Sequence, residues 1–394
     1  MAKRLKVLLQ GGEVQNALTV VQSLGRKGIT VVVGAKYKKT ISFYSHYCTK
    51  HFQYPCPKKN PDDFIQCMLA EVKAHHYDVL ISQGEEGLLE LSKHRDLFLP
   101  YVKFPMVDHE TFLKAYNKKE TLKIALENTI PCPKTYVVNN VEDVKKIKDE
   151  LIFPVIMKPT ISEGTLGLRY ITLQEDLIET YEKTTRTFGE MIIQELIPPG
   201  GATYGFEGLF NKNSEPRAIF VHQRLREYPL TGGPSTFRVG VENKEIIALG
   251  TRLLQSIGWY GIAMVEFKVD PRDNTPKLME INPRFWGSLP LSIASGMDFP
   301  YLLCKMAVDG DISRVPDYKK GVKARVLFYT DFLYLIAVMK GLSTPWGYQS
   351  PDRGKTLYEF LKFYEKDIVY DNLSWDDPVP GLLKILSPLI KMYE

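Results

Sequence analysis

The first hundred residues alternate between short apolar runs and segments in which apolar residues recur every three to four positions. Uninterrupted apolar runs predict buried strands, and the three-to-four spacing predicts amphipathic helices. Strands are predicted over residues 5–10, 29–33 and 78–82, and helices over residues 15–26 and 61–75. Because strands that alternate with helices indicate a parallel sheet, we expect an α/β chain that begins with a Rossmann-like N-terminal domain over residues 1–111.

From residue 112 onward, the pattern changes to helices followed by strands that turns separate. Helices are predicted over residues 112–128 and 142–150, and strands over residues 135–138, 190–196, 204–210 and 217–226. This mixture predicts that a second domain begins at residue 112. Residues 311–394 are expected to form a C-terminal helical extension.

Two apolar runs between residues 260 and 287 flank the segment DPRDNTP, which is typical of a β-hairpin turn. Because side chains alternate across a strand, Ala263, Val265 and Phe267 are expected to face away from Glu266. The same alternation in the second strand predicts one shared face for Leu278, Glu280, Asn282 and Arg284. The hairpin is therefore expected to bring two carboxylates and an amide together.

Two glutamates in a half-buried sheet repel each other and lose hydration unless a proton or a cation compensates. Magnesium suits this position, because it takes oxygen ligands and completes its coordination with phosphate oxygens. Arg284 would add a fixed positive group beside the metal ion. The structural alternative, which is the commoner one for an arbitrary hairpin, is that Glu266 pairs with Lys268 or an arginine on a solvated face.

A lysine followed by a glycine-containing loop forms a second candidate site. Lys158 ends the apolar segment FPVIMK, and the loop TISEGTLG follows it after one proline. An ammonium group and nearby backbone N–H groups suit phosphate oxygens. Lysines also commonly end strands without any such role.

The loop YPLTGGPST, which contains Gly232 and Gly233, is flanked by three arginines. These are Arg224, Arg226 and Arg238. Guanidinium groups can pair with a carboxylate in a planar fork, so we expect this loop to bind the substrate rather than a nucleotide. A solvated charged rim is the alternative.

The composition limits which binding partners and which cellular compartment we expect. The net charge of +5 is spread along the chain without a basic run, and it suits an anionic small molecule as well as RNA. Because the chain has no nucleic-acid-binding motif, we expect no nucleic-acid partner. Five cysteines without a C-x-x-C pair indicate a reducing, cytoplasmic environment. Metal binding by the group His46, Cys48, His51 and Cys56 is disfavoured, because its spacing matches no usual pair of zinc ligands.

The order of these motifs resembles that of the ATP-grasp superfamily. The shared features are an Asn-Lys pair that opens a helix, then FPVIMKP before a glycine loop, then QELIPPG, and finally a glutamate followed on the next strand by EINPR. The resemblance covers roughly residues 112–310, and NPRFWGS is typical of the carbamoyl-phosphate-synthetase-like carboxylate–amine ligases. It implies an ATP-grasp domain over residues 112–310, in which two α+β subdomains clamp ATP and the lid subdomain covers about residues 112–189.

The resemblance also implies which residues bind ATP. Lys118 and Lys158 would hold the phosphates beneath a lid loop that includes Gly164 and Gly167. The remaining nucleotide contacts would come from Gln194, from Glu195 through its carboxylate, from Leu196 through its backbone, and from Glu207 at the ribose.

For the metal and the chemistry, the resemblance implies that Glu266, Glu280 and Asn282 bind Mg²⁺ or Mn²⁺. Arg284 would steady the transferring phosphoryl group and the acyl phosphate. A carboxylase is disfavoured, because Ser288 lies where the biotin-carboxylase type has a glutamate.

These features together predict a ligase that activates a small or peptidyl carboxylate with ATP and joins it to an amine, with an oligomer possible. An inactive ATP-binding regulatory module is one alternative. Another is a ligase that acts on a membrane-linked carrier, because residues 326–341 and 381–393 are apolar with scattered lysines. Packing of an appended helical segment explains the same runs more simply than binding at a membrane surface.

Overall fold

The computed structural model describes residues 4–162, 164–344, 346–363, 365–371 and 373–386. These residues form three sheets with covering helices, so the expected mixed α/β class is confirmed. Across the described ranges, none of the helices combines the length and the apolar character needed to cross a membrane.

The first part of the chain forms a parallel sheet with helices around it. Its elements are β1 (Lys6–Gln10), α1 (Ala17–Arg26), β2 (Thr30–Ala35), β3 (Cys48–Gln53), α2 (Pro61–His75), β4 (Val79–Ser82), α3 (Glu85–Lys93) and α4 (Arg95–Phe98). The strand order is β3-β2-β1-β4. Leu8 packs into one apolar core while Val7 and Leu9 pack into another, because successive residues of β1 point to opposite faces. Burial on both faces explains the uninterrupted apolar runs in this region.

Strand β3 was not among the strands predicted from the sequence. Its residues, CTKHFQ, are mostly exposed or half-buried, so they lack an apolar pattern. Parallel pairing with β2 defines this edge strand instead. Among the described residues, no group of three or more histidine, cysteine or acidic side chains is arranged to hold a metal ion.

The helix predicted over residues 112–128 is two helices, α5 (His109–Tyr116) and α6 (Lys118–Glu127). Asn117 separates them, because its extended backbone ends α5 and its side chain accepts a hydrogen bond from the Lys119 N–H at the start of α6. Lys118 thereby becomes the first residue of α6, where its backbone N–H donates to the Thr160 carbonyl at 2.8 Å. This break in the helix brings Lys118 next to the loop that follows Pro159.

A small antiparallel sheet with two helices comes next. Its elements are β5 (Thr135–Val138), α7 (Val141–Ile147), β6 (Val155–Pro159), β7 (Arg169–Ile171), α8 (Asp176–Phe188) and β8 (Met191–Glu195). The strand order is β5-β8-β6-β7. Its own apolar core includes Val155, Met157, Leu177 and Ile193. We refer to this unit as the lid sheet.

The third sheet is the largest, and its first part contains the hairpin that the sequence analysis singled out. The elements are β9 (Thr203–Phe210), β10 (Pro216–Glu227), β11 (Ser235–Gly240), α9 (Lys244–Ile257), β12 (Gly261–Val269), β13 (Pro276–Asn282), α10 (Leu289–Ala294) and α11 (Phe299–Asp309). Strands β12 and β13 pair antiparallel, with Glu266 opposite Glu280 and Met264 opposite Asn282. The predicted convergence of the two glutamates is therefore confirmed.

A bulge in this hairpin corrects one part of the predicted pattern. The register shifts after Glu266, so that Phe267 lies opposite Leu278 and Met279 is the extra residue. Leu278 consequently packs in the apolar core with Phe267 instead of sharing the face of Glu280. Simple two-residue alternation fails at this point because a bulge reverses the faces on one side of it.

The last part of the described chain adds strands as well as helices. Its elements are β14 (Lys323–Arg325), α12 (Phe332–Lys340), α13 (Arg353–Phe360), β15 (Ile368–Tyr370) and α14 (Pro378–Leu386). Strands β14 and β15 complete the seven-stranded sheet in the order β13-β12-β9-β10-β11-β14-β15. The expected helical extension is therefore mixed in structure. Of the apolar run over residues 381–393, the part after residue 386 lies outside the described residues.

Candidate functional site

A cleft of about 630 Å³ lies between the lid sheet and the large sheet. Its volume falls within the range of about 300–1,000 Å³ that is usual for small-molecule sites. Its lining includes residues from β6, β8, β10, β12 and β13. The cleft therefore contains most of the residues that the sequence analysis connected with nucleotide and metal binding.

The two carboxylates of the hairpin face this cleft and share one amide. The Asn282 Nδ2 donates to Glu266 at 3.4 Å and to Glu280 at 3.2 Å. Glu266 also pairs with Arg224 at 2.6 Å, and Glu280 pairs with Lys118 at 3.6 Å. The side chains predicted to bind a metal ion are thus brought together by strand pairing and are held in position by cations on either side.

The two glutamates differ in their tendency to ionise. Burial raises the pKa of Glu266, and the negative charge of Glu280 raises it further, while Arg224 offsets only part of this effect. Burial also disfavours ionised Glu280, but Lys118 and Lys158 outweigh burial and hold the pKa of Glu280 below its ordinary value. The pKa values of the two carboxyl groups therefore depart in opposite directions from the ordinary pKa of a glutamate.

The two lysines predicted to hold phosphates both line the cleft. Lys118 is only 7% exposed, and its ammonium donates to the Ser162 carbonyl at 3.1 Å as well as pairing with Glu280. Lys158 has no acidic partner within 4 Å among the described residues. Burial, reinforced by the charge of Lys118, lowers the pKa of Lys158 to about 8. A half-buried ammonium without an acidic partner of its own is a ready partner for an anionic ligand.

Arg284 lines the cleft beside Asn282, and a residue of the first sheet holds it there. Its Nε and Nη2 donate to the same oxygen of Glu85, at 2.8 and 2.7 Å. Glu85 is 5% exposed and begins α3. No role was predicted for Glu85 from the sequence, because 199 residues separate it from Arg284. The signal that could have identified Glu85 is the segment GEEG, which follows a predicted strand.

The residues predicted to contact the nucleotide differ in position: three of them line the cleft, and Glu207 is buried. Gln194, Glu195 and Leu196 all line the cleft. However, the Glu195 carboxylate already accepts from the Lys134 backbone N–H at 2.8 Å and pairs with Arg272 at 3.0 Å. Each oxygen of this carboxylate therefore already has one partner within the protein.

Glu207 has no exposed surface, since His222 and Ser288 cover it. Its Oε1 accepts from the Ser288 hydroxyl at 2.6 Å and lies 2.9 Å from the His222 Nδ1. The expected ribose contact of Glu207 is corrected on this ground, because a nucleotide cannot reach the side chain. Ser288 thus supports Glu207 from the position where biotin carboxylases have a glutamate.

The lid loop contributes one glycine to the cleft and one to packing. Gly164 lines the cleft and has open space where a side chain would begin. A Cβ atom on Gly167 would lie 2.6 Å from Pro159 and 3.0 Å from Phe188, and its φ is +78°. Gly167 is therefore required by its turn and by packing, whereas Gly164 is free to approach a ligand.

The three arginines around the glycine loop have separate environments. Arg224 faces the cleft beside Glu266, and Gly232 and Gly233 line the cleft with it. Arg226 also lines the cleft, but it forms a buried pair with Asp331 at 3.1 Å.

Arg238 is 1% exposed and forms a buried ion pair with Asp371. It lies directly opposite Arg224 in the register of β10 and β11. The prediction that Arg238 binds a substrate carboxylate is wrong, because its positive charge is compensated inside the protein. The partner, Asp371, lies in the C-terminal segment, so the pairing could not be recognised locally.

The C-terminal segment also lines the cleft, which the sequence analysis did not predict. The residues concerned are Val326, Tyr334, Trp346, Tyr348 and Pro351. On the lid side, the Tyr170 hydroxyl donates to the Thr231 carbonyl at 2.8 Å, and the Tyr170 ring stacks on Trp346 with centroids 4.3 Å apart. The lid sheet, the glycine loop and the C-terminal segment therefore meet at one end of the cleft.

The cleft as a whole suits an anionic ligand that brings a divalent cation. Among the described lining residues, cationic side chains (Lys118, Lys158, Arg224, Arg226, Lys268 and Arg284) outnumber acidic ones (Glu195, Glu227, Glu266 and Glu280). Oxygen donors from two carboxylates and an amide form the set that Mg²⁺ prefers. The residues present therefore fit a magnesium–phosphate ligand, and Glu266, Glu280 and Asn282 would hold the metal ion.

Two family models match successive parts of the chain. Residues 116–195 match the carbamoyl-phosphate synthase L chain ATP-binding domain, and residues 215–328 match an ATP-grasp domain from a biosynthetic pathway with the Ter operon. A D-aspartate ligase of Enterococcus faecium (strain Aus0004) is 27% identical over 242 residues, which are 56% of this chain and 58% of that protein. The chain spans 54–58% of the length of the curated relatives it matches first.

Solved structures share the fold over most of the chain. A biotin carboxylase from Campylobacter jejuni has a TM-score of 0.66 at 15% identity, with 82% of this chain and 74% of that chain covered. An L-amino acid ligase from Bacillus licheniformis has a TM-score of 0.63 at 15% identity, with 78% and 75% covered. The two family models and the order of the motifs identify an ATP-grasp region within residues 116–328, and the shared fold agrees with it.

Proposed function

We propose that this protein is an ATP-dependent ligase that activates a carboxylate as an acyl phosphate and joins it to an amine, releasing ADP and phosphate. The observation that carries the proposal is the pairing of Glu266 with Glu280, with Asn282 between them, in a cleft where Lys158 has no acidic partner among the described residues. The D-aspartate ligase and L-amino acid ligase named above support this reaction class.

The first step is phosphoryl transfer. A carboxylate oxygen of the substrate attacks the γ-phosphorus of ATP, and the bond to the β,γ-bridging oxygen breaks, so that ADP leaves with the electron pair. Lys118 and Lys158 bind the phosphate oxygens and compensate the charge that develops on them. When bound by Glu266, Glu280 and Asn282, a divalent cation would supply further neutralisation of phosphate charge.

The second step forms the C–N bond. The amine attacks the acyl carbon, the carbonyl oxygen takes the negative charge of the tetrahedral intermediate, and collapse of this intermediate breaks the C–O bond to phosphate. The nitrogen loses a proton, which leaves with the phosphate. Arg284, held by Glu85, is placed to bind the oxyanion, and Arg224 lies next to the glycine loop where a substrate carboxylate would enter.

Exclusion of water protects the acyl phosphate, since hydrolysis would waste it. The hydrogen bond from Tyr170 to Thr231 connects the lid sheet to the glycine loop. We infer that this contact closes the cleft when both substrates are bound. We also retain the proposed division into residues 1–111, 112–310 and 311–394, with the last segment contributing to both the large sheet and the cleft.

The test is ADP release with ATP and MgCl₂ in a matrix of amino acids, each offered as carboxylate and as amine, with product identified by mass spectrometry. A carboxylate labelled with ¹⁸O should transfer one labelled oxygen to the released phosphate, because the acyl phosphate oxygen comes from the carboxylate. Tight ATP binding without substrate-dependent ADP release would instead favour an inactive regulatory module. Release of unlabelled phosphate would exclude acyl-phosphate chemistry.

A further inference from the structure

One end of the cleft is lined by large apolar side chains that the proposed chemistry does not use. We call them the apolar wall: Tyr170, Leu230, Tyr334, Trp346 and Tyr348. They come from the lid sheet, from the glycine loop and from the C-terminal segment. Leu230 and Tyr334 are each only 7% exposed and pack with the buried Val338. Three distant parts of the chain thus build one surface.

The C-terminal part of the apolar wall is held by a short hairpin. Ser343 and Gln349 form an isolated antiparallel bridge, and the Thr344 N–H donates to the Tyr348 carbonyl at 3.0 Å. The Ser350 hydroxyl accepts from the Leu342 N–H at 2.7 Å, which closes the base of the hairpin. Trp346 lies within this turn, and its ring is nearly parallel to that of Tyr170, at an interplanar angle of 3°. The wall is therefore supported before any ligand binds.

The charged groups beside the apolar wall are already neutralised. The Arg226 guanidinium pairs with Asp331, and it lies over the rings of Phe237 and Tyr334. Glu227 lies 3.4 Å from Arg224. Arg226 and Glu227 could therefore bind a charged side chain of a ligand only by breaking an existing ion pair. The free cation described above, Lys158, lies instead beside the glutamate pair.

We propose that the apolar wall binds the aromatic or large apolar side chain of one ligase substrate, an amino acid or amine of that class. This inference rests on the proposed ligase function and adds the substrate class. Burial of an apolar group against such a wall favours binding. An aspartate side chain would lose its hydration there, and the nearby Arg224 already pairs with Glu266 at 2.6 Å and with Glu227 at 3.4 Å. The chain would then differ in substrate from the D-aspartate ligase it resembles.

The first experiment measures binding without turnover. The chain has four tryptophans; Trp259 and Trp286 are 2% and 0% exposed, and Trp375 is fully exposed. Phenylalanine, leucine and aspartate are added to the protein with ADP and Mg²⁺, and tryptophan fluorescence is recorded. Phenylalanine and leucine should change the signal in the wild type and in Trp375→Phe, but not in Trp346→Phe. No response to either apolar probe at millimolar concentration, in fluorescence or in thermal melting, would overturn the proposal.

The second experiment measures turnover. In the ADP-release assay, Trp346→Ala should raise the KM for the apolar substrate by about tenfold or more, because loss of part of a hydrophobic pocket has effects of that size. The KM for ATP should stay unchanged, and Trp375→Ala, the matched control, should resemble the wild type in both values. Turnover of aspartate with an unchanged KM in Trp346→Ala would contradict the apolar wall while leaving the ligase function intact. Apolar binding at Trp346 without any ADP release would contradict the ligase function and support the wall.

Discussion

The protein has two groups of charges, one half-buried and one buried, that look alike in sequence and differ in how completely they are paired. In the cleft, Glu266 and Glu280 lie opposite each other, and Lys158 has no acidic partner among the described residues. Between β11, β14 and the C-terminal segment, Arg238 pairs with Asp371. In the same region, Asp331 pairs with Arg325 at 2.5 Å and with Arg226 at 3.1 Å.

The charges of the second group maintain the fold, whereas those of the first group are available to bind a ligand. A buried ion pair that is complete has no capacity to bind a further ion, and breaking it leaves an uncompensated charge. A buried pair of like charges is stable only if its surroundings supply protons or cations, which is what a metal–nucleotide ligand brings. Changes in the first group should therefore alter activity, and changes in the second group should alter stability.

The largest expected effect is that of Glu280→Gln. The substitution keeps the shape of the side chain but removes the charge that a metal ion requires, so ADP release should fall roughly a thousandfold, in line with the several kcal/mol that metal ions contribute to such transfers. The melting temperature should change little, because Lys118 keeps its contact with Ser162. Glu359→Gln, on an exposed pair, is the control. Wild-type ADP release in Glu280→Gln would exclude the metal role.

The second prediction tests the fully paired group. Asp371→Asn leaves Arg238 buried without a counter-ion, so the free energy of unfolding should fall by about 3 kcal/mol, as for other broken buried pairs. Chemical denaturation measures this value, and Asp309→Asn in an exposed pair should change it by less than about 1 kcal/mol. The KM of each substrate should be unaffected. Full stability together with a raised carboxylate KM would show that Arg238 does face the substrate.

The third prediction uses the unpaired lysine of the cleft. The pKa of Lys158 is lowered from 10.5 to about 8, so its ammonium is present below pH 8 and is lost as the pH rises through that value. The affinity for ADP, measured by calorimetry, should therefore weaken above pH 8. In the nucleotide-free protein, the same group should add stability between pH 8 and 10.5, because the unfolded chain then binds more protons.

Lys158→Met should remove this pH dependence and weaken nucleotide binding by roughly tenfold, the equivalent of one charge-assisted hydrogen bond. Lys123→Met, at an exposed position of α6, should keep the wild-type profile. An unchanged profile in Lys158→Met would assign the transition to another group.

The smallest effect is expected for Glu85→Gln, which weakens the support of Arg284 without removing Arg284 itself. We expect kcat to fall about tenfold, the lower range for groups that orient a functional side chain, with an unchanged KM for ATP. Glu86→Gln is the matched control, since Glu86 is the next residue and pairs with Lys36 instead. Equal kcat values in the two variants would show that Arg284 does not depend on Glu85.

Much of the fold could be predicted because it depends on short-range patterns. Helix α2 begins and ends where its proline and its apolar spacing predict. The edge strand β3 was missed because its pairing partner, and not its own composition, makes it a strand. The continuous helix predicted over residues 112–128 was wrong because the capping side chain of Asn117 outweighs the apolar spacing around it.

The sequence by itself determined that Glu266 and Glu280 would meet, since both lie on one hairpin and neighbouring strands place opposite residues within a few ångströms of each other. Only the tertiary structure decided that Glu207 and Arg238 would be buried, that Glu85 would hold Arg284, and that the C-terminal segment would line the cleft. Each of these outcomes depends on contacts between segments far apart in the chain: Glu207 with Ser288, Arg238 with Asp371, Glu85 with Arg284 and Tyr170 with Trp346. Local pattern specifies which face a side chain takes on its own strand, but the sheet order and the docking of distant elements decide whether solvent, a ligand or a buried counter-ion lies opposite that face.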